Sequence, residues 1–431
     1  MKAAILTMFR SMPDSYSLVQ VVKSHALMLL DAGIEVKIIV SDACSHEEVE
    51  RSFPDPRIEW VRITQHPFPD ALVWKDYLQE PPTEEQGIAE CVAHIASQFE
   101  QQLADVCLCM LHDILYQGTL YLHNLAIRMV AAQRNDLRLI AFTHSYPANR
   151  PQVIPPHLAP RYTPLPNCAY VFPTRAGIPA LAKQYSVPEG SCYVVHHAAT
   201  ILERMTNEVQ SLARQIDLLS PDILMVCPSR LTPGKQLEKI VQVAGALKVV
   251  SGKNITVLYC DVPSTDIQVE RYKRQIKTLG FQYSLNLTDM AFTSDFGFPN
   301  GLSNQSIADL FSLSNLFLCP SKSESFSLTL LEAAQHGNFL VVNEHVASLK
   351  EIGGKLSAYF MQWDARSMGQ DILLASGASE PAYYAYHADQ IWRRMKDNPV
   401  LKAKTVSRQN FSRQWIWNHQ LKPLLEDLLL L

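Results

Sequence analysis

Short apolar runs alternate along this chain with longer segments whose apolar positions recur every three to four residues. KAAILTM (2–8) leads into SLVQVVKSHALMLLDAG (17–33) and then EVKIIV (35–40), and further apolar runs follow at VCLCML, LRLIAF and YVFP. Near-continuous apolar runs read as strands buried on both faces, and the amphipathic stretches between them as crossover helices. The first half therefore predicts one doubly wound α/β domain with a parallel sheet. Helix starts are marked by Thr83 with Gln86 three residues on, and by Thr174 opening TRAGIPALAKQY.

From 143 to 166 the pattern breaks. Seven prolines, at 147, 151, 155, 156, 160, 164 and 166, fix φ and remove donors too often for a helix or a central strand. The stretch reads as a long ordered loop or lid. The rhythm resumes to about 200, pauses over the polar, helix-prone ILERMTNEVQSLARQIDLLS, and restarts at DILMVCP (222–228). A second series follows: helix 235–250, strand NITVLYC, helix 264–279, a strand near MAFT, helix 304–312, strand NLFLCP, helix 326–336 and strand FLVVN. The expectation is two Rossmann-like domains in tandem, 1–205 and 220–400, with the cleft between them as the default ligand site. The tail, with Trp415, Trp417, Leu421 and Leu425 near one face, is expected to form a packed terminal helix over about 400–431.

Composition narrows the class. With 38 Lys+Arg against 42 Asp+Glu, there is no broad cationic field of the kind nucleic acid requires. The nine cysteines are odd in number and scattered, without a C-x-x-C pair, which fits reduced thiols and a cytoplasmic protein. MKAAILTMFR is too short for a secretory core and reads as a first buried strand. No run approaches the ~20 apolar residues that span a bilayer, so a soluble chain is expected. Contact with a membrane surface, a homo-oligomer and a partner transferase all remain compatible with this pattern.

Two segments carry chemistry. In FLCPSKSESFSLTLLEAAQHG a buried strand runs through a Pro-Ser loop into a helix expected to start near Phe326, with Glu324 before it and Glu332 within it. Unpaired N–H groups at 326–328 would form an anion site at the helix start. At ~1.5 Å rise per residue the two carboxylates stand roughly 10 Å apart, too far for a retaining glycosidase pair at ~5 Å. That spacing suits a sugar nucleotide, whose hydroxyls flank a diphosphate; a capping Glu324 and a surface Glu332 would look the same. In LMVCPSRLTPGKQLEKIV, Arg230 ends a strand and Lys235 opens a helix. They could clamp a diphosphate, or be two solvated charges; TPGKQ lacks the glycines and the Ser/Thr of a P-loop. His112 and His144 each end a strand of the first half, and a locally bonded strand-end histidine would look alike. Neither shows a metal-ligand spacing.

Together these segments resemble the retaining glycosyltransferases of family 4, with the GT-B fold, whose hallmark is E-x7-E in the context PS-x-x-E-x-F-G-L-x-x-x-E-A-x-x-x-G. Here it stands as PSKSESFSLTLLEAAQHG, 18 residues in register, and Arg230 and Lys235 match the family's R-x(4)-K signature. The resemblance implies transfer of a hexose from a UDP-, GDP- or ADP-sugar donor to an unidentified acceptor, with no cofactor and no catalytic metal. It implies that Arg230 and Lys235 bind the diphosphate, Glu324 the hexose and Glu332 the ribose hydroxyls. The resemblance also implies that backbone amides of Phe326, Ser327 and Leu328 complete the phosphate cradle, and that the terminal helix of about 400–431 packs back on the first domain. His144 falls where the family places a histidine beside the transferred sugar, and His112 aligns with an earlier H-D. The chain departs from the family in its glycine-free first loop FRSMPDSYSLVQ, in Ser325 and Ser327 where the family has glycines, a change expected to be mild, and in HHAAT at 196–200. The alternatives are a sugar-nucleotide epimerase or a phosphorylase on the same fold, and a non-catalytic accessory subunit.

Overall fold

The structure is a computed structural model and describes residues 1–13, 15–64, 85–262, 269–367, 370–372 and 380–429. The helix start read at Thr83 and the beginning of the helix read at 264 lie outside these residues. The chain divides into two units, Met1–Ala198 with Arg413–Leu431, and Ala199–Ser412.

Among the described residues the sheet of the first unit has seven strands: β1 (Lys2–Leu6), β2 (Glu35–Ser41), β3 (Ile58–Ile63), β4 (Leu108–His112), β5 (Arg138–Phe142), β6 (Cys168–Phe172) and β7 (Cys192–Val194). They are parallel and ordered β3-β2-β1-β4-β5-β6-β7. Successive side chains of a strand point to opposite faces, and each face has its own core. Ala4, Leu6, Cys109, Leu111, Leu139 and Ala141 pack with the helices Glu85–Gln102 and Tyr121–Gln133. Ala3, Ile5, Leu108, Met110, Ile140 and Phe142 pack with the helix Ser17–Asp31 and with Ile416, Leu421, Leu424 and Leu425 of the tail. Full burial of each such leucine or isoleucine is worth about 1.5–3 kcal/mol, which anchors the tail in this unit.

The second unit repeats the order. Its strands β8 (Ile223–Arg230), β9 (Ile255–Val262), β10 (Met290–Phe292), β11 (Leu316–Cys319), β12 (Phe339–Asn343) and β13 (Tyr359–Met361) run β10-β9-β8-β11-β12-β13, all parallel. One face packs on the helices Glu238–Ser251 and Glu380–Lys396, the other on Asn304–Leu313 and Ala347–Lys355. Both units are thus Rossmann-like and doubly wound. In each, the strand order reverses between a first strand and the strand that crosses to its other side, β1/β4 and β8/β11. That is where an open α/β sheet leaves a crevice beyond its carboxyl ends.

The proline-rich loop is ordered by its own contacts. Arg150 donates to Tyr162 O and Gln184 O, and Arg128 to Pro160 O, Thr163 O and Pro164 O. A single helical turn, Ala159–Tyr162, buries Pro160 and Tyr162. Among the described residues no helix is long and apolar enough to cross a membrane.

Candidate functional site

The β8/β11 switch point holds an open cavity of about 610 Å3, lined by Arg230, Lys235, Glu324, Phe326, Ser327 and Leu328 among others. Two loops build it. After β8 the chain turns through a 3-10 segment, Pro233–Lys235, with Pro233 at its first position and Gln236 in the left-handed region at φ 50°. This corrects the expected helix start at Lys235: the left-handed residue ends the turn, and the α-helix begins only at Glu238. Lys235 therefore projects from a loop at the strand ends. Its Nζ donates to Glu324 Oε1, in a pair that is part-buried on both sides.

The second loop, 320–327, is fastened to the first. Lys322 N donates to Gly234 O at 2.8 Å, and Gln236, 1% exposed, donates from Nε2 to Pro320 O (2.6 Å) and Asp364 O (2.7 Å). Asn343, at the end of β12 and fully buried, donates to Ser321 O (3.1 Å) and Asp364 O (2.9 Å), while its Oδ1 accepts from the N–H groups of His345 and Trp363. Ser348 Oγ donates to Glu324 O at 2.5 Å. Gln236, Asn343 and Ser348, none of them singled out in the sequence, hold the loop that carries Glu324.

The helix after this loop is Leu328–Gln335, two residues later than the expected start at Phe326. Its N-cap, Ser327, sits at φ 69°, ψ 82° and makes no side-chain cap. Leu330 N donates to Ser327 O at 3.2 Å, which leaves the N–H groups of Leu328 and Thr329 with neither an intrahelical acceptor nor a side-chain cap. They open on the cavity with the positive end of the helix dipole. The change from glycine to Ser327, expected to be mild, is strained, because a Cβ at positive φ costs about 1–2 kcal/mol. Ser327→Gly should stabilise the chain by about 1 kcal/mol, read as a raised midpoint of denaturant unfolding.

Glu332 is exposed on this helix, and the cavity lining does not include it. The thiol of Cys319, at the end of β11, is pushed up by burial and then by the nearby Glu324. The cavity thus joins two cations and a free helix end, an arrangement that takes a diphosphate or a similar polyanion.

In the first unit, strand order brings together histidines that are far apart in sequence. Nδ1 of His112, at the end of β4, lies 2.9 Å from Nε2 of His144, just past β5. Nδ1 of His144 lies 3.1 Å from Nε2 of His197, just past β7. Asp113, at φ 59°, accepts from His144 N at 2.9 Å, and burial pushes its carboxyl up. His197, not singled out in the sequence, belongs to this group. So does His25, whose ring lies 5.3 Å from that of His112 and has no hydrogen-bond partner among the described residues. Among the described residues no group of three or more His, Cys, Asp or Glu is placed to hold a metal ion.

Burial lowers the imidazoles of His112 and His144 well below their ordinary value and takes His25 to about 3. A group whose folded pKa is depressed contributes stability above its unfolded pKa, near 6.5 for histidine, and loses it as pH falls toward the folded value. Each of the three should cost about 1.4 kcal/mol per pH unit below that point. His25→Leu should remove about a third of this slope. It should also stabilise the chain at pH 7.5 by roughly 1–2 kcal/mol, because it replaces an unpartnered buried polar ring. Denaturant midpoints at pH 7.5 and 5.5 measure both effects.

The segments that depart from the family pattern find other solutions. Just before the first loop, Met8 takes a left-handed conformation at φ 52°, where a glycine would be unstrained. Met12 N donates to Glu48 Oε1, and Arg51 donates to Met12 O. In HHAAT, Nδ1 of His196 is 2.7 Å from Pro173 O, its N–H donates to Gln420 Oε1, and Ala199 N donates to Phe411 O.

No family model matches the chain, and no curated protein matches it by sequence. Among solved structures it is similar over 99% of both chains to a glycosyltransferase from Rickettsia africae, at 14% identity and a TM-score of 0.37. It is similar over the whole of both chains to sucrose-phosphate synthase from Thermosynechococcus elongatus, at 15% identity and a TM-score of 0.36. The Anabaena protein HepE, in complex with UDP-glucose, gives 13% identity and a TM-score of 0.33, covering 98% of this chain and 99% of its own. These full-length superpositions are loose, and the fold rests on the two sheets described above.

Proposed function

We propose that the chain is a retaining, metal-independent hexosyltransferase of the GT-B family 4 type, acting on a nucleoside diphosphate sugar. The observation that carries this reading is the cavity at the β8/β11 switch point, where Arg230 and Lys235 meet the uncapped start of the helix Leu328–Gln335, which lies in the E-x7-E segment. A diphosphate placed there meets two cations and two or three backbone donors, which stabilise the charge that builds as the sugar leaves. Lys235, paired with Glu324, has further N–H donors to offer a phosphate oxygen.

Glu324 orients the hexose, and Glu332, exposed and one turn along the helix, receives the ribose hydroxyls. The reading assigns same-face substitution assisted by the leaving group, without a covalent intermediate. The motif resemblance alone points to His144 as the histidine beside the sugar, and both of its ring nitrogens are engaged by other histidines.

The test is incubation with UDP-, GDP- and ADP-glucose without an acceptor. One donor should release its nucleoside diphosphate slowly, and the freed sugar should appear first as the donor's own anomer by NMR. An altered donor sugar with no released diphosphate marks an epimerase, and a requirement for inorganic phosphate marks a phosphorylase. Binding without any turnover marks an accessory subunit.

A further inference from the structure

In the histidine row of the first unit, both ring nitrogens of His144 are taken, Nε2 by His112 and Nδ1 by His197. At the buried end, Nε2 of His112 has no partner among the described residues. At the other end His197 is exposed, and its Nδ1 has no partner among them. A hydrogen bond between two imidazoles holds one proton. Two such contacts in series leave three neutral rings only two arrangements: every proton on Nδ1, or every proton on Nε2. The first puts an N–H on the exposed nitrogen of His197, the second a lone pair. A mixed arrangement would set two lone pairs or two protons against each other at 2.9 or 3.1 Å.

We propose that His197, not His144, is the imidazole of this group that meets a bound ligand, and that His112 and His144 are positioning residues that fix which form its Nδ1 presents. A ligand hydroxyl at Nδ1 of His197 then selects one tautomer for all three rings, and the choice is registered at the buried His112. The naming of a sugar hydroxyl as that ligand rests on the transferase reading; the shared tautomer does not.

The experiment uses the full chain labelled with 15N, whose long-range proton–nitrogen spectra distinguish protonated from bare ring nitrogens, with His112→Gln and His144→Gln supplying assignments. His112, His144 and His197 should carry their protons on the same nitrogen, and added UDP-glucose should shift Nδ1 of His197 most. Mixed tautomers in the parent chain would overturn the coupling. In parallel, His197→Ala should slow release of UDP from UDP-glucose about tenfold, the scale of one lost hydrogen bond. Its affinity for UDP should stay unchanged, and its unfolding midpoint should fall no further than loss of the single His144 contact accounts for. Parent-like turnover in His197→Ala would overturn the ligand role. If no nucleotide sugar binds at all, the transferase reading fails and takes the sugar contact of His197 with it, while the spectra still decide the coupling.

Discussion

Lys235→Ala should lower turnover of the donor by roughly 10²-fold, the loss associated with one donor aimed at developing charge, with a much smaller change in KM. The lysine stands on a 3-10 turn at the strand ends, its reach fixed by the left-handed Gln236 that follows and by the Gly234 O–Lys322 N contact. Its ammonium is therefore positioned before the substrate arrives. Lys235→Arg should not restore the rate, because a planar fork does not place its charge where a short ammonium does. A loss confined to KM would mean that Lys235 binds ground state and transition state alike. Steady-state rates across donor concentrations separate the two.

The second large effect lies outside the cavity. Asn343→Ala should destabilise the chain by about 3–5 kcal/mol, because it removes four buried hydrogen bonds at once, from Ser321 O, His345 N, Trp363 N and Asp364 O, of which Asp364 O alone keeps a second donor in Gln236. Asn343→Asp should be at least as damaging. A carboxylate cannot donate to Ser321 O and Asp364 O, and it would be buried without a cation. Both changes free the loop that carries Glu324, so donor binding should fall even under conditions where the variant is folded. Denaturant unfolding of the parent and both variants, with donor titration well below the midpoint, measures the two consequences separately.

Much of the fold was legible because buried parallel strands are short and nearly all apolar. KAAIL, EVKIIV and NITVLYC cannot be mistaken for the amphipathic segments between them. IEWVRI, YFM and the short β7 were less legible: they are strands near the sheet edges and only partly buried. The cavity's charges were visible as a motif, since Lys235 and Glu324 sit on loops next to strong strand signals. The geometry that aims them was not. Two left-handed residues, Gln236 and Ser327, shift both helix starts by two residues or more, and neither residue type announces positive φ. The histidine row was invisible for a different reason. Residues 112, 144 and 197 become neighbours only through the order β4-β5-β6-β7, which periodicity does not encode.

The central claim, a nucleoside diphosphate sugar in the β8/β11 cavity, is tested most directly by calorimetric titration of UDP-, GDP- and ADP-glucose into the parent chain and into Glu332→Ala. The account predicts saturable binding of one nucleotide at one site per chain. It also predicts that Glu332→Ala weakens that binding by roughly tenfold or more, as loss of a charged acceptor for ribose hydroxyls should. No binding of any of the three sugars to the folded parent chain would contradict it.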